Sequence, residues 1–282
     1  MEHHPYFDLW LHSTEELSTL LEIEVVERTT LHEWPLSCVQ LLRLADDRRI
    51  IYKTQSQEGV EPEFYRRVQS PLLPWHRSLG LLNTSETLLF EYIDAPLLEN
   101  LPLSEAEILA HGRSLLHALR QVDDHAPVYC DLGSAEKWLV LVEEALNKLA
   151  RLIAGRKFHL TRPEMIGVLE AWARSAAALA AIETGPCLVH ADLSGDNIFV
   201  TPAGYKVIDW QFARRAPAAL DWVGFLDGQG IDPLRYADPA SVGVFWFVRL
   251  AWFVECKTRL FPQGKIYDQQ VAELAKQISG LG

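Results

Sequence analysis

Residues 190 to 209 read His190-Ala-Asp192-Leu-Ser-Gly-Asp-Asn197-Ile-Phe-Val-Thr-Pro-Ala-Gly-Tyr-Lys-Val-Ile-Asp209. This stretch contains three oxygen-bearing side chains, Asp192, Asn197 and Asp209, at a spacing that suits phosphoryl transfer. Transfer to a hydroxyl group needs a carboxylate near that hydroxyl and further oxygen ligands that hold Mg²⁺ against the phosphates. Asp192 is the candidate for the first role, and Asn197 and Asp209 are candidates for the second.

The residues between these side chains predict two short strands joined by a turn. Ile198-Phe-Val and Tyr205-Lys-Val-Ile are apolar runs that flank Thr201-Pro-Ala-Gly. Such a hairpin would hold Asn197 and Asp209 side by side. An acidic surface loop is the alternative interpretation, because Asp, Ser, Gly and Asn all favour turns.

Three segments of the chain resemble the aminoglycoside phosphotransferase and choline kinase group, which are small-molecule kinases with a protein-kinase-like fold. They are His190-Ala-Asp192-Leu-Ser-Gly-Asp-Asn197, Val207-Ile-Asp209-Trp-Gln-Phe-Ala-Arg and Pro217-Ala-Ala-Leu-Asp221-Trp. The usual patterns of the group are His-Gly-Asp-Leu-x-x-x-Asn, Ile-Asp-Trp and Asp-Pro-x-x-Asp-Leu. Ala191 stands where Gly is usual and Ala216 where Asp is expected, and neither change removes a metal ligand or a base.

The resemblance implies an α+β fold with two lobes. The N-terminal nucleotide-binding lobe, with a small antiparallel sheet, would comprise residues 1–93. The mainly helical C-terminal lobe, with the catalytic loop and the acceptor-binding region, would comprise residues 94–282. The resemblance also implies that Asp221 secures the catalytic loop by accepting hydrogen bonds from the backbone or from His190. We expect His190 to be a structural residue of this loop rather than a base.

The first ninety residues show the pattern of a strand-rich lobe. The sequence predicts a short helix at 15–21 and three strands at 24–29, 37–44 and 50–54. Lys53 lies in the last of these strands, where the resemblance implies that a lysine pairs with the nucleotide phosphates and with a glutamate on the next helix. Glu61 is preferred to Glu63 for that glutamate, because it precedes Phe64-Tyr65 at the group's Glu-x-x-Phe-Tyr spacing. The alternative is an exposed lysine and a solvated acidic helix start.

Two further nucleotide contacts rest on the resemblance. The segment 29–37 contains no glycine, although a hairpin that covers phosphates often uses glycine so that its amides can approach the oxygens. Ser37 is the candidate for this role, and an ordinary strand residue is the alternative. Backbone groups of Phe90 and Tyr92, in the apolar run 88–93, would bind adenine at the link between the lobes.

The composition favours a folded cytoplasmic enzyme. With 49% hydrophobic and 23% charged residues among 282, the chain can bury one large core or two lobes. No apolar run reaches membrane-spanning length by inspection, and the N-terminus lacks the features of a secretory signal. The net charge of −12 opposes binding to nucleic acid or to an anionic membrane and favours a cationic acceptor. The four cysteines are scattered singly, as expected of reduced thiols without a zinc site.

From residue 104 onward the periodicity becomes helical, with predicted helices beginning at Ser104 and spanning 135–154 and 163–182. Five carboxylates could make an acceptor pocket acidic if they line it: Asp123, Asp124, Asp131, Asp227 and Glu255.

The sequence thus predicts a kinase that uses ATP or GTP with Mg²⁺ and an aminoglycoside or a related amino-bearing antibiotic as the acceptor. A metabolic kinase for choline, homoserine, an amino sugar or a fructosamine is the alternative. A non-catalytic nucleotide-binding module on the same fold is a third hypothesis. The sequence does not indicate the oligomeric state.

Overall fold

A computed structural model describes residues 1–123 and 125–281 of the chain. Its strands are β1 Glu2–His3, β2 Trp10–Leu11, β3 Val25–Trp34, β4 Ser37–Leu44, β5 Arg49–Ser56, β6 His76–Leu82, β7 Ser85–Glu91, β8 Cys130–Asp131, β9 Pro186–Val189, β10 Ile198–Thr201, β11 Gly204–Val207 and β12 Arg214–Pro217. Its α-helices are α1 Thr14–Leu21, α2 Glu61–Arg67, α3 Glu105–Leu119, α4 Ala135–Ala154, α5 Glu164–Ala173, α6 Ala176–Glu183, α7 Ala219–Gly228, α8 Pro239–Glu255 and α9 Ile266–Ser279. Asp124, one of the five carboxylates considered above, lies outside the described residues.

The chain forms two compact units, and each is assembled from three separate segments. The first unit consists of Met1–Leu103, His117–Tyr129 and Gly195–Ala213. The second consists of Ser104–Leu116, Cys130–Ser194 and Arg214–Gly282. The sequence instead predicted a division of the chain into two continuous lobes, 1–93 and 94–282. That division concerns the functional halves of the chain and stays a prediction.

The first unit is built around a five-stranded antiparallel sheet with the strand order β3-β4-β5-β7-β6. Successive strand residues face opposite sides of a sheet. Leu42, Tyr52 and Leu89 belong to a buried cluster that also contains Leu17 of α1. Lys53, next to Tyr52, therefore points to the opposite face of the sheet, where Val39 of β4 and Leu88 of β7 flank it in register.

The predicted hairpin after the catalytic motif is present in the first unit. Strands β10 and β11 pair with Ile198 opposite Val207 and Thr201 opposite Gly204. The Val207 amide donates to the Leu72 carbonyl at 2.8 Å. The hairpin is thereby attached to the rest of the unit through backbone hydrogen bonds.

The second unit is mainly helical, with a three-stranded sheet of order β8-β12-β9. Its longest helix, α4, begins after Ser134, whose side chain accepts from the Lys137 amide, as is typical of an N-cap. Trp138, Val142 and Leu149 repeat along one face of α4 at helical spacing and are fully buried.

One predicted helix is wrong in this unit. The segment predicted as a single helix at 163–182 forms α5 and α6, which are bent by 51° relative to each other. The break occurs because Ser175 takes an extended conformation and accepts a hydrogen bond from the Ala178 amide, so it caps a new helix.

One helical segment near the C-terminus is longer and more apolar than the sequence analysis predicted. Pro239–Leu260, which is α8 and the π-helical turn after it, is long and apolar enough to cross a membrane by length and composition. Within the second unit, 56% of its most apolar window is buried. Val244, Phe247 and Val254 of α8 are almost completely buried in the core of the unit, as expected for a central helix of a helical core.

Candidate active site

Lys53 lies between two carboxylates in the first unit. Its Nζ is 2.5 Å from Glu61 Oε2 and donates to Asp209 Oδ1 at 2.8 Å. Strand β5 supplies the lysine and the first residue of α2 supplies the glutamate. Pro62 follows in the first turn of α2, where a proline costs no helical hydrogen bond. The local structure therefore places Glu61, rather than Glu63, opposite the lysine.

Burial and charge act in opposite directions on this cluster. Burial disfavours the charged ammonium, but the carboxylates of Asp209 and Glu61 outweigh it and raise the pKa of Lys53. Burial also raises the pKa of Glu61, and the adjacent lysine acts against that rise. Lys53 is therefore held as a cation in a nearly closed environment, in which only 6% of the residue is exposed.

Asp209 has a backbone conformation that is unusual for a residue with a side chain. Its φ is 64° and its ψ is 54°, in the left-handed region. The next residue, Trp210, is fully buried and stacks on Phe64 of α2 with ring centroids 4.4 Å apart. Its indole nitrogen donates to the Val207 carbonyl at 3.1 Å. Trp210 thus links the position of Asp209 to the helix that carries Glu61, a role that the sequence analysis missed although Trp belongs to the motif.

Asn197 and Asp209 belong to the two ends of the β10–β11 hairpin. Asn197 precedes β10, and its carbonyl accepts a hydrogen bond from the Ile208 amide at 3.0 Å. Asn197 is 8% exposed, whereas the Asp209 side chain is 39% exposed. An amide oxygen and a carboxylate are both hard oxygen donors, which suit Mg²⁺. The donor set of these two residues therefore fits the metal that the sequence motif implies.

The backbone at His190 and Ala191 is held by Asp221 within the second unit. The Asp221 carboxylate is 3% exposed, accepts the His190 amide at Oδ2 and accepts the Ala191 amide at Oδ1, both at 2.9 Å. Burial raises the pKa of Asp221, and the positive potential of His190 and the two amides opposes that rise. His190 is fully buried, and its Nδ1 accepts the Asp192 amide at 3.3 Å.

These bonds hold the loop while Asp192 faces solvent. The Asp192 residue is exposed. Ala191, which precedes it, has a φ of 67° and so lies in the left-handed region that favours glycine. This is the position at which the group's pattern usually has glycine, so the departure noted in the sequence is a strained alanine in the structure.

Ser37 opens β4 after the two-residue turn Pro35-Leu36, and no glycine is needed there. Its hydroxyl accepts the Trp34 indole N–H at 2.6 Å, and the residue is 2% exposed. This bond uses an acceptor lone pair of the hydroxyl, so the Ser37 O–H can still donate to a phosphate oxygen. The role predicted for Ser37 stays a prediction.

Phe90 and Tyr92 lie at different places relative to the sheet. Phe90 is inside β7, opposite Ile51 of β5 and His76 of β6, so strands flank its backbone on both sides. Tyr92 follows the last residue of β7, and the Arg49 guanidinium covers its ring at 3.8 Å. Of the two, Tyr92 is the residue whose backbone lies beyond the strand. A link between lobes would bind adenine at such a position.

The four described carboxylates proposed for an acidic pocket each have a local partner. Asp131 contacts Lys137 at 2.5 Å, and Asp227 contacts Arg249. Glu255 contacts Lys148 at 2.7 Å and Arg259 at 2.8 Å, and Asp123 accepts the His125 amide at 2.9 Å. The net charge of the chain therefore does not translate into unpaired negative charge at Asp131, Asp227 and Glu255.

Two open grooves of the second unit lie away from all of these residues. One is lined by Trp246, Glu273 and Lys276, and the other by Trp172, Pro239 and Ile278. None of the predicted site residues lines either groove. The candidate site is therefore identified from its side chains and not from a groove.

One family of known proteins matches the chain in sequence. The sequence profile of the phosphotransferase enzyme family, abbreviated APH, matches residues 51–242. No protein of curated function matches the chain in sequence.

Several solved structures share the fold at low sequence identity. Spectinomycin phosphotransferase APH(9)-Ia, in complex with ADP and spectinomycin, is 13% identical with a TM-score of 0.57, covering 97% of this chain and 100% of its own. Choline kinase LicA from Streptococcus pneumoniae is 12% identical with a TM-score of 0.61, covering 95% and 97%. A putative fructosamine-3-kinase from Thermobifida fusca is 15% identical with a TM-score of 0.57, covering 94% and 97%. The likeness establishes a kinase-like α+β fold, as the sequence predicted.

Proposed function

Because the chain belongs to the phosphotransferase enzyme family, we propose that it transfers the terminal phosphoryl group of ATP, or of GTP, to a hydroxyl group of a small molecule. The observation that carries the proposal is the position of Lys53, whose ammonium contacts both Glu61 and Asp209. A buried cation between two carboxylates adds little to the stability of the fold, because desolvation of the charges offsets much of their attraction. Such a cluster is therefore better explained by a function, and binding of nucleotide phosphates is such a function.

The first unit supplies the nucleotide side of the reaction. Lys53 binds the donor phosphates, and Glu61 holds the lysine in place. Asn197 and Asp209 are the residues that would hold Mg²⁺. When bound, the ion neutralises the charge of the phosphates and helps to align them. Tyr92 is the preferred hinge residue for the adenine base, and Ser37 and Phe90 are the remaining candidates for nucleotide contacts.

The second unit supplies the acceptor side. The Asp192 carboxylate accepts a hydrogen bond from the acceptor hydroxyl, orients its oxygen and takes the proton as the oxygen bonds to phosphorus. Asp221 and His190 bind the backbone on either side of Ala191 and so hold the loop that presents Asp192. They act as positioning residues.

Two classes of acceptor fit the proposed reaction. An aminoglycoside or a related amino-bearing antibiotic is our first candidate, which would make the protein a resistance enzyme. A metabolic kinase with a smaller acceptor is favoured by one observation: Asp131, Asp227 and Glu255 are each paired with a lysine or an arginine. Paired carboxylates attract a polycation weakly. A non-catalytic nucleotide-binding module would not require an exposed Asp192 in a constrained loop. We also propose a cytoplasmic location.

The proposal is tested by measuring ADP formation with ATP and Mg²⁺ against a panel of aminoglycosides, other amino-bearing antibiotics, amino sugars, fructosamines, choline and homoserine. Acceptor-dependent ADP formation supports the proposal, and its absence with ATP and with GTP across the panel contradicts it. The salt dependence of KM for the best acceptor separates the two acceptor classes. Salt should raise KM strongly for a polycationic acceptor and much less for an acceptor with at most one positive charge, because it screens charge attraction.

A further inference from the structure

The exposed Asp192 lies in a short loop, His190 to Ser194, that contacts α7 at two places. At the beginning of α7, Asp221 accepts the His190 and Ala191 amides at 2.9 Å. At the end of α7, Gly228 faces Ser194 so closely that a methyl group on Gly228 would lie 3.0 Å from Ser194 Cβ and 3.2 Å from Ser194 Cα. Contacts as short as these are rarely tolerated without movement of one partner.

The two contacts lie on one face of the helix. Asp221 and Gly228 are separated by seven positions, which is roughly two turns or about 10 Å along the axis. The loop therefore runs alongside α7 from the Asp221 level to the Gly228 level, with Asp192 between the two contacts. The Ser194 amide donates to the Asp192 carbonyl at 3.0 Å, so a shift of Ser194 is transmitted to Asp192.

The loop also contains backbone strain that requires such support. Ala191 has a φ of 67°, a left-handed conformation that is unfavourable for a residue with a Cβ. Strained conformations persist where the surrounding structure over-determines them. Asp221 constrains the loop on one side of Asp192, and the close approach of Ser194 to Gly228 constrains it on the other side.

We propose that Gly228 is a positioning residue for phosphoryl transfer: the absence of a side chain there sets the distance of Ser194 from α7 and thereby the position of the Asp192 carboxylate. This inference rests on the proposed function, in which Asp192 faces the acceptor hydroxyl. The backbone of Gly228 is helical, so the helix itself accepts an alanine at this position. The effect of a substitution is therefore confined to the contact with Ser194.

The test is Gly228→Ala, compared with two glycine controls in the same unit. Gly224→Ala, on the same helix, creates a similar contact of 3.1 Å with the Phe245 ring instead of the loop. Gly167→Ala on α5 meets no atom within 4 Å. Displacement of a reacting group by 1 Å can cost about 100-fold, so we expect Gly228→Ala to lower kcat about tenfold or more. We expect both controls to retain the kcat of the natural chain and all three variants to bind Mg-ATP normally.

A second substitution makes the effect reversible. In the double variant Gly228→Ala/Ser194→Gly the shorter of the two contacts, with Cβ, is removed and the contact with Cα remains, so kcat should recover part of the loss relative to Ser194→Gly alone. If Gly228→Ala fails to fold, Ser194→Thr adds the extra methyl group from the loop side and takes its place in the comparison. A general loss of stability would not show this reciprocal rescue.

Hydrogen exchange provides a readout that does not depend on finding an acceptor. The amides of His190 and Ala191 should exchange faster in Gly228→Ala than in the natural chain and the two controls, and the double variant should restore the slower exchange. Unchanged exchange and unchanged kcat in Gly228→Ala would overturn the inference while leaving the proposed function intact. Failure of the natural chain to phosphorylate any acceptor would instead count against the proposed function.

Discussion

Lys53 and Glu61 form a buried ion pair with 2.5 Å between Nζ and Oε2, although the two residues belong to different elements, β5 and α2. Glu63, two positions later, contacts Arg66 at 2.7 Å and Arg67 at 2.5 Å on the outer side of the same helix. The helical geometry thus separates the two candidate glutamates, since positions two apart face different sides of a helix.

The different surroundings of the two glutamates predict different variant phenotypes. Lys53→Ala should raise KM for ATP about tenfold or more, because a charge-assisted phosphate contact is lost. Glu61→Ala should give a milder defect of the same kind, since Asp209 still contacts the lysine. Glu63→Ala is the matched control and should change KM less than about twofold, because exposed ion pairs contribute little. Steady-state kinetics with saturating acceptor check these values, and a defect in Glu63→Ala but not in Glu61→Ala would contradict the assignment.

Asp209 should be needed for metal-dependent nucleotide binding. Asp209→Ala is expected to weaken ATP binding about tenfold or more with Mg²⁺ present and much less with EDTA, because it removes a carboxylate ligand of the ion. Calorimetric titration with ATP under both conditions measures the difference. Equal losses in the two titrations would show that Asp209 acts through Lys53 alone.

The strained alanine in the catalytic loop predicts a stabilising substitution. Ala191→Gly should raise the free energy of unfolding by about 0.5–1 kcal/mol, because the relief of left-handed strain exceeds the entropy that glycine adds to the unfolded chain. Urea denaturation measures this change. A loss of stability would mean that the Ala191 methyl group packs better than its φ of 67° costs.

Glu255 predicts a pH dependence of stability. Burial of this carboxyl opposes ionisation, but Lys148 and Arg259 outweigh it and lower its pKa in the folded chain. The ionised Glu255 therefore stabilises the fold at pH values above the pKa that this carboxyl has in the unfolded chain. This stabilisation is lost as the pH falls through the pKa of the carboxyl in the folded chain. Glu255→Gln should cost about 1 kcal/mol near pH 7, and the cost should shrink in acid. Glu143→Gln, at an exposed position on α4, is the control. A cost for Glu255→Gln that stays constant in acid would contradict the role of its charge.

The sequence predicted the parts of this protein whose determinants are local. The strand at 37–44 and the helix at 135–154 have the predicted bounds, because hydrophobic periodicity and turn residues specify both. The β10–β11 hairpin was predicted for the same reason. The preference for Glu61, the first residue of α2, came instead from the resemblance to a known family.

Features that depend on contacts between distant segments could not be predicted in this way. Strand β6, whose burial is irregular, was missed. The partners of Glu255 and Asp227 also come from elsewhere: Lys148 and Arg249 lie 107 and 22 positions away in the sequence. Net charge alone therefore does not indicate which carboxylates are paired with a cation in the folded chain. The stacking of Trp210 on Phe64 is likewise a property of the folded chain.

The most direct test of the account is Asp192→Ala, assayed for both phosphoryl transfer and Mg-ATP binding with the best acceptor of the panel. Loss of a positioned general base typically costs 10²–10⁴-fold, so kcat should fall about 1,000-fold while the Kd for Mg-ATP changes less than about threefold. Asp196→Ala, at an exposed position four residues further along the chain, should retain most of the activity. Phosphoryl transfer by Asp192→Ala at a rate close to that of the natural chain would contradict the central claim that this carboxylate faces the acceptor hydroxyl.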